Sequence, residues 1–228
     1  MSRAQRALPP ARGSAVEARD QMVEHQLRRR GNFDERVLEA MARVPRERFV
    51  PEELRHLAYE DGALPIGGGQ TISQPFMVAT ICQLLEFSGN ERVLDVGTGS
   101  GYQAAVLAEL AAQIVTIERV PALAERAQSA LAQAGYSGVE VLLGDGSLGA
   151  PAWAPFHGVA VAAAAPAIPP ALVEQLAVGG RLVVPRGGRR GQRLVLVERT
   201  EDGLRERASV SCRFVPLLGA EGFSAGGS

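Results

Sequence analysis

Hydrophobic and polar positions follow two different periods along the chain. Over residues 16–59 the apolar side chains recur at helical spacing, and Asp34 is a candidate N-cap within this stretch. A short helix is expected after Pro51, and a longer one over 75–87, because proline suits the first helical position. Residues 59–75 contain three successive glycines, so this segment is predicted to be a loop without regular structure.

After these segments, short apolar runs alternate with helical stretches. The predicted strands are 92–96, 114–117, 139–143, 159–163 and 181–184, and the predicted helices are 102–110, 121–134 and 170–176. Strands that are apolar on both faces and separated by helices indicate an α/β fold with a doubly wound, mostly parallel sheet. Two last segments, 193–199 and 208–217, are predicted to form an antiparallel hairpin that closes one sheet edge.

Composition excludes several kinds of chemistry. All 24 basic residues are arginine, so the chain has no lysine for a Schiff base, a P-loop or a protein kinase site. Two cysteines are too few for a disulfide framework, and the three histidines do not have metal-ligand spacing. The longest apolar run, 158–168, is shorter than the ~20 residues that span a bilayer. We therefore expect a cytoplasmic protein without a metal site or a membrane partner.

The net charge of −1 is unevenly distributed. Residues 179–213 carry nine arginines against four acidic residues, which would suit a nucleic-acid partner. The densest part, 186–193, alternates arginine with glycine between two apolar runs, a pattern typical of an exposed hairpin turn. This pattern favours the interpretation that nucleic acid is not a partner.

A glycine-rich turn, VLDVGTGSGY at 93–102, joins a predicted strand to a predicted helix. Its glycines, Gly97, Gly99 and Gly101, permit a close backbone approach to a ligand at the helix N-terminus. The third glycine follows the second by two positions, unlike the G-x-G-x-x-G spacing of dinucleotide sites, and Asp95 would repel a pyrophosphate. A carboxylate at this point suits a cationic ligand such as S-adenosyl-L-methionine. The alternative is a glycine turn in which Asp95 only caps the helix.

Two more acidic residues follow later predicted strands. Glu118 lies about twenty residues after the glycine turn, where a carboxylate accepts hydrogen bonds from ribose hydroxyls. Asp145 follows the next strand and is a candidate acceptor for an adenine amino group, while Gly146 lets the backbone pass close to the ring. Each is alone an ordinary strand-end cap, but three acids at one sheet edge together indicate a binding site.

These patterns predict one domain over 15–228 after a disordered tail at 1–14. Within this domain we expect an N-terminal helical and substrate-loop region at 15–90, a cofactor-binding core at 91–185 and a C-terminal hairpin region at 186–228.

Several segments resemble the protein-L-isoaspartate O-methyltransferase family. They are GGGQTISQPFMVATICQLL at 67–85, VLDVGTGSGYQAAVLAEL at 93–110, VPRERFVP at 44–51 and YEDGALPIG at 59–67. The resemblance implies a class I methyltransferase fold and monomeric action on damaged proteins. It implies methyl transfer from S-adenosyl-L-methionine to the α-carboxylate of isoaspartyl residues, whose ester cyclises to a succinimide, with S-adenosyl-L-homocysteine as product. D-aspartyl residues are a second candidate acceptor.

The resemblance also implies roles for single residues. Ser73 would lie beside the transferring methyl group and orient the acceptor carboxylate or shape the methyl pocket. Its alternative is a helix cap, although Pro75 would make Gln74 the cap. Cofactor contacts are expected at Gln70, Thr71, Ile72, Ser73, Asp95, Gly97, Thr98, Gly99, Glu118, Asp145 and Gly146. Substrate contacts are expected at Leu64, Pro65, Ile66, Val215 and Leu217. Residues 64–69 are expected to form a mobile lid.

The residues agree with a carboxylate acceptor, which is ionised at neutral pH and needs no general base. The segment AAAAPAIP at 162–169 lacks the Asn/Asp-Pro-Pro-aromatic motif of base-amino methyltransferases and supplies no carboxylate for a metal. The chain departs from the family pattern at His157 and Ala162, interpreted as strand-packing changes, and at Leu218, where a polar contact would be expected. The alternatives are a methyltransferase acting on another carboxylate or on RNA, and a non-catalytic binding module.

Overall fold

The computed structural model describes residues 14–188 and 191–224, which form a seven-stranded sheet flanked by helices and a separate two-stranded hairpin. The strands are β1 (Leu64–Gly67), β2 (Gln70–Ile72), β3 (Arg92–Val96), β4 (Gln113–Glu118), β5 (Glu140–Leu143), β6 (Phe156–Val161), β7 (Leu176–Gly188), β8 (Gly191–Thr200) and β9 (Gly203–Cys212). The α-helices are α1 (Ala15–Met22), α2 (Glu35–Arg43), α3 (Pro75–Leu85), α4 (Tyr102–Ala108), α5 (Pro121–Ala134) and α6 (Pro170–Glu174). Short 3₁₀ turns lie at Arg46–Phe49, Glu52–Leu57, Gly146–Leu148 and Pro151–Trp153, and a π-helical turn at Val23–Arg28.

The sheet has the strand order β5-β4-β3-β6-β7-β8-β9. Its first five strands are parallel, and β8 and β9 add antiparallel pairs at one edge. The chain enters the sheet at β3, moves outward to β5, and then returns to the other side of β3 with β6. The crevice for a ligand is expected where the strand order reverses, at the carboxyl ends of these strands. The predicted doubly wound α/β fold with a C-terminal antiparallel hairpin is confirmed.

Strand alternation divides the core between the two faces of the sheet. Val93 points to the face that is covered by α3, α4 and α5, whereas Leu94 and Val96 point to the face covered by α6. All three side chains are fully buried, as the apolar pattern on both faces requires. By the same alternation Asp95 points to the face of Val93, beneath α4.

Helix ends agree with the predicted capping. The side chain of Asp34 accepts a hydrogen bond from the backbone N–H of Arg36 and caps α2. Gln74 is the N-cap of α3, with Pro75 at the first helical position. Ser14, which was assigned to a disordered tail, is instead the N-cap of α1 and forms a capping box. The rest of that predicted tail, 1–13, lies outside the described residues, and the division of the domain into three regions stays a prediction.

The prediction of an irregular loop over 59–75 is wrong, because this segment contains the β1–β2 hairpin. Leu64 pairs with Ile72 and Gly67 with Gln70. The three glycines that argued against regular structure all have positive φ, between 60° and 87°, and make the turn. Glycine at these angles avoids the Cβ clash, so the glycine run permits the hairpin to close.

The prediction of the last strand at 208–217 is wrong in its bounds, because β9 begins and ends earlier in the sequence. β9 pairs with β8 from Gly203 to Cys212, and it is an edge strand whose first residues are exposed and mostly polar. No apolar alternation marks such a strand in the sequence. Residues 213–217 leave the sheet, and Pro216 forms a bridge with Ala164. Within the described residues no helix is both long and apolar enough to cross a membrane.

Candidate active site

A cavity of about 830 Å³, including its open mouth, lies at the carboxyl edge of the parallel strands. Its wall is built by the glycine turn after β3, the end of β4, the hairpin strand β2, the segment after β6 and the C-terminal segment. Of the predicted site residues, those in the wall are Gln70, Thr71, Ile72, Ser73, Gly97, Thr98, Gly99, Glu118, Gly146, Val215 and Leu217. The fold therefore brings most of the predicted cofactor residues and two predicted substrate residues into one cavity.

The glycine turn forms the floor of this cavity. Gly97 and Gly99 have positive φ angles of 91° and 55°, which side chains rarely adopt. Gly101 is the N-cap of α4 with φ of 89°, and a Cβ there would lie 3.1 Å from Cγ of Leu131 in α5. The first two glycines thus shape the binding surface, and the third permits close packing of two helices.

Glu118 ends β4 and is almost fully buried at the cavity wall. Its Oε2 accepts a hydrogen bond from the Gly99 N–H at 2.9 Å. Its Oε1 accepts from the N–H groups of Arg119 and Val120 at 2.9 and 3.0 Å. The two bonds fill the acceptor sites of Oε1, whereas Oε2 can accept one more, so Glu118 is held in place and still able to bind a hydroxyl donor.

Asp95 does not line the cavity, which corrects the expected direct contact with a cationic ligand. Its carboxylate is fully buried beneath α4, where it accepts hydrogen bonds from Gln103 Nε2 and Thr116 Oγ1, both at 2.8 Å. Thr116 is its register partner on β4, and the Thr116 hydroxyl is 2.7 Å from that of Thr98. Burial raises the pKa of Asp95 to about 6, although these hydrogen bonds oppose the rise.

Gln103 connects this buried acid to the cavity. Its side chain lines the wall, and its Nε2 donates to Asp95. Its Oε1 is buried and has no hydrogen-bond partner among the described residues. A buried, unpaired amide oxygen at a cavity wall indicates a ligand donor such as an ammonium group. Gln103 is not among the residues predicted from the sequence, although its place two residues after Gly101 was a usable signal.

Asp145 lies outside the cavity wall, and its expected contact with an adenine amino group stays a prediction. Its Oδ1 accepts from the N–H and hydroxyl of Ser147, and its Oδ2 accepts from the Ala220 N–H at 2.7 Å. Burial acts to raise the pKa of Asp145, but these hydrogen bonds lower it below its ordinary value. Asp145 therefore anchors the C-terminal segment over the cavity. Gly146 lies in the wall, and a Cβ there would be 2.7 Å from Val96 Cγ1.

The residues expected to form a lid have three different environments. Leu64 and Ile66 are buried in the core, whereas Pro65 is exposed. Ile66 contacts a smaller neighbouring cavity, and its carbonyl accepts from Arg126 Nη2 at 2.7 Å. None of the three lines the main cavity. Their contacts with a substrate and their motion as a lid stay predictions.

Ser73 lies where the main cavity meets a second cavity of about 760 Å³. The two cavities share the wall residues Thr71, Ser73, Ala162 and Val215. Within the described residues the Ser73 hydroxyl has no hydrogen-bond partner. The second cavity, called here the acceptor cavity, also has Arg213 in its wall. The arrangement is two adjoining cavities with a free hydroxyl between them.

The departures from the family pattern occupy different places. Ala162 and Leu218 both line the main cavity, so Ala162 is part of the site, whereas it was interpreted as a strand-packing position. His157 is exposed, and its Nδ1 accepts from the Arg92 N–H. Tyr102 lines the cavity and is otherwise buried.

Comparison with known proteins identifies the family of this chain. Residues 17–222 match the family model described as Protein-L-isoaspartate(D-aspartate) O-methyltransferase. The chain belongs to this family. Protein-L-isoaspartate O-methyltransferase 2 of Marinobacter nauticus is 57% identical over 204 residues, which cover 89% of this chain and 93% of the relative. The Protein-L-isoaspartate O-methyltransferase of Aeropyrum pernix is 55% identical over 213 residues, with 91% and 82% covered.

Solved structures show the same fold. A protein-L-isoaspartate O-methyltransferase matches with a TM-score of 0.79 and 27% identity, over 90% of this chain and 67% of the other. A Plasmodium falciparum structure of a protein of the same description, in complex with S-adenosyl-L-homocysteine, matches with a TM-score of 0.78 and 23% identity, over 88% and 98%. At this identity the second likeness concerns the fold alone. The family and fold suggested by the sequence motifs are confirmed.

Proposed function

We propose that this chain is a protein-L-isoaspartate O-methyltransferase that uses S-adenosyl-L-methionine to methylate the α-carboxylate of isoaspartyl residues in damaged proteins. One observation carries the proposal, namely that the cavity at the carboxyl edge joins the acceptor cavity at Ser73 in a chain that matches the family over residues 17–222. The ester would then cyclise to a succinimide and begin repair.

The residues of the main cavity suit this cofactor. Glu118 would bind the ribose through Oε2, because the carboxylate is fixed by three backbone donors and Oε2 still has a free acceptor site. The unpaired Oε1 of Gln103 would accept from the amino group, with the buried charge of Asp95 behind it. Gly146 leaves room for the adenine. When bound, the cofactor supplies an electrophilic methyl group on a sulfonium.

On the acceptor side, the protein has to bind and orient a carboxylate. The acceptor is already ionised at neutral pH, so no side chain has to remove a proton. The free hydroxyl of Ser73 would donate a hydrogen bond to one carboxylate oxygen and direct the other toward the methyl group. Alignment of this kind, together with exclusion of water, supplies the rate acceleration. The walls of both cavities, as far as described, contain no histidine that would act as a base.

Two of the nine arginines in the basic segment 179–213 are engaged in ion pairs, and the absence of a nucleic-acid partner stays a prediction. Arg181 pairs with Glu86 and Glu198, and Arg186 pairs with Glu206. Arginines engaged in this way are not free to neutralise phosphates. The expectations of a monomer and of a cytoplasmic location remain predictions of the sequence.

The decisive assay measures transfer of labelled methyl from S-adenosyl-L-methionine to an isoaspartyl peptide and to its aspartyl twin. We expect ester formation on the isoaspartyl peptide alone. Equal labelling of both peptides, or labelling of RNA instead, would refute the proposed acceptor. Ser73→Ala should lower kcat by about 10- to 100-fold, since it removes one hydrogen bond to a charged group. The matched control is Ser129→Ala, an exposed serine on α5 that should retain full activity.

A further inference from the structure

Arg46 is a fully buried arginine directly behind the cavity wall. It begins the 3₁₀ turn Arg46–Phe49, and its Nε donates to the Ala58 carbonyl at 2.7 Å. Its Nη2 donates to the carbonyl of Ser73 at 2.8 Å. Its guanidinium carbon lies 4.7 Å from the centre of the Tyr102 ring. Since Ser73 and Tyr102 both line the cavity, one layer of residues separates the guanidinium from the bound ligands.

The charge of Arg46 has no carboxylate partner among the described residues. No acidic oxygen of the described residues lies within the 4 Å of an ion pair, and Nη1 is buried without a hydrogen-bond partner. Burial lowers the pKa of Arg46, but a guanidinium remains charged at neutral pH. A buried, uncompensated charge destabilises the fold, so its presence here indicates a role other than stability. A neutral donor would satisfy the two carbonyl acceptors of Arg46 equally well, so they do not account for its positive charge.

We propose that Arg46 is a positioning residue that fixes the backbone at Ser73 and provides the positive charge that makes the acceptor site selective for a carboxylate. This inference rests on the proposed function, because it assumes an acceptor beside Ser73. The hydrogen bond to the Ser73 carbonyl orders the backbone at this serine, which acts on kcat. The charge attracts an anionic acceptor through a wall of low dielectric constant, which acts on KM.

The test compares two peptides that bind in the presence of S-adenosyl-L-homocysteine. One contains an isoaspartyl residue, and in the other the same α-carboxylate is converted to the neutral carboxamide. We expect the wild-type protein to bind the carboxylate peptide about tenfold more tightly than the carboxamide peptide, because the charge of Arg46 attracts an anion across one layer of residues. Arg46→Met should reduce this preference to less than about threefold. Arg46→Lys should retain the preference and the KM but lower kcat, because it keeps the charge and loses one of the two carbonyl bonds.

Two variants serve as controls. Arg199→Met removes an arginine that donates to the carbonyls of Glu174 and Leu176, away from both cavities, and should leave the preference unchanged. Arg213→Met removes the exposed charge of the acceptor cavity. The inference would be overturned if Arg46→Met kept the preference for the carboxylate peptide. It would also be overturned if Arg213→Met lost this preference while Arg46→Met kept it.

Two further readings keep the inference testable if Arg46→Met does not fold. A wild-type protein that binds both peptides equally would overturn it, as would a folded Arg46→Lys that loses the preference. Because Tyr102 lines the main cavity, the affinity for S-adenosyl-L-homocysteine is measured for each folded variant, and the peptide preference is compared with S-adenosyl-L-homocysteine at saturation. The proposed function fails separately, if wild-type protein forms no methyl ester on the isoaspartyl peptide, because the binding preference is measured without turnover.

Discussion

The Nε2 of Gln103 donates a hydrogen bond to Oδ1 of Asp95 at 2.8 Å. Asp95 does not line the cavity itself, so it acts on a ligand there only through the Gln103 side-chain amide. The partnerless Oε1 of the same amide is the polar atom available to a ligand there. Donation to a charged acceptor polarises the amide and increases the negative partial charge on its oxygen. The glycine turn thus presents a neutral group at its surface with a carboxylate behind it.

Replacing Gln103 by methionine tests whether Asp95 acts on the ligand through the Gln103 amide. The variant keeps the side-chain length but removes the oxygen for the cofactor amino group and the donor for Asp95. We expect the Kd for S-adenosyl-L-homocysteine to rise about tenfold or more, as for a lost hydrogen bond to a charged group. Isothermal titration calorimetry measures it, with the exposed Gln133→Met as control. An unchanged Kd would show that the amide oxygen does not contact the ligand.

Asp95→Asn should change how stability depends on pH. The folded pKa of Asp95, about 6, is above its ordinary value of 3.8, so the folded protein binds this proton more tightly than the unfolded chain. The stability contribution of Asp95 is therefore full below about pH 4 and is lost as pH rises through about 6. We expect the stability of the variant relative to wild type to rise between pH 4 and pH 7.5, by up to about 2 kcal/mol.

Urea unfolding of both proteins at the two pH values measures this effect. The difference between variant and wild type isolates Asp95 from other titrating carboxylates. The exposed Asp202→Asn should show no such difference. The same variant should bind S-adenosyl-L-homocysteine more weakly, because the amino group loses the charge behind Gln103. Equal pH dependence in wild type and Asp95→Asn would contradict the assigned burial effect.

Glu118→Gln should weaken cofactor binding more than its small size change suggests. The carboxylate accepts from the N–H groups of Gly99, Arg119 and Val120, and an amide NH₂ would oppose at least one of these donors. We expect the Kd for S-adenosyl-L-homocysteine to rise by about 10- to 100-fold. Glu140→Gln, an exposed position on β5, is the control. A Kd within error of wild type would exclude Glu118 from the ribose site.

Asp145→Ala should loosen the C-terminal segment locally. The substitution removes the acceptor for the Ala220 N–H and for Ser147, whose hydroxyl in turn accepts from the Glu221 N–H. We expect faster amide hydrogen exchange over residues 217–223, while exchange in the sheet stays slow. Because Val215 and Leu217 line the cavity, the affinity for S-adenosyl-L-homocysteine should also fall. Unchanged exchange in this segment would mean that other contacts hold it.

Most of the fold could be predicted from the sequence because its signals are local. The alternation of buried strands with helices, the proline at the start of α3 and the aspartate cap of α2 depend on residues close along the chain. The β1–β2 hairpin was missed since a glycine run was interpreted only as a break, and β9 was misplaced since an exposed edge strand has no apolar alternation. Both errors concern pairing between segments, which local composition does not specify.

For the site, the sequence by itself determined the glycine turn, the acids at or near the ends of β3, β4 and β5, and the serine before α3. Only the tertiary structure decided which of these side chains reach the cavity. Strand register placed Asp95 beside Thr116 beneath α4. A hydrogen bond between segments that are distant in sequence placed Arg46 behind Ser73. The physical reason is that burial and hydrogen-bond partners depend on contacts between residues that are distant along the chain. A sequence motif contains information only about residues that are close together in the sequence.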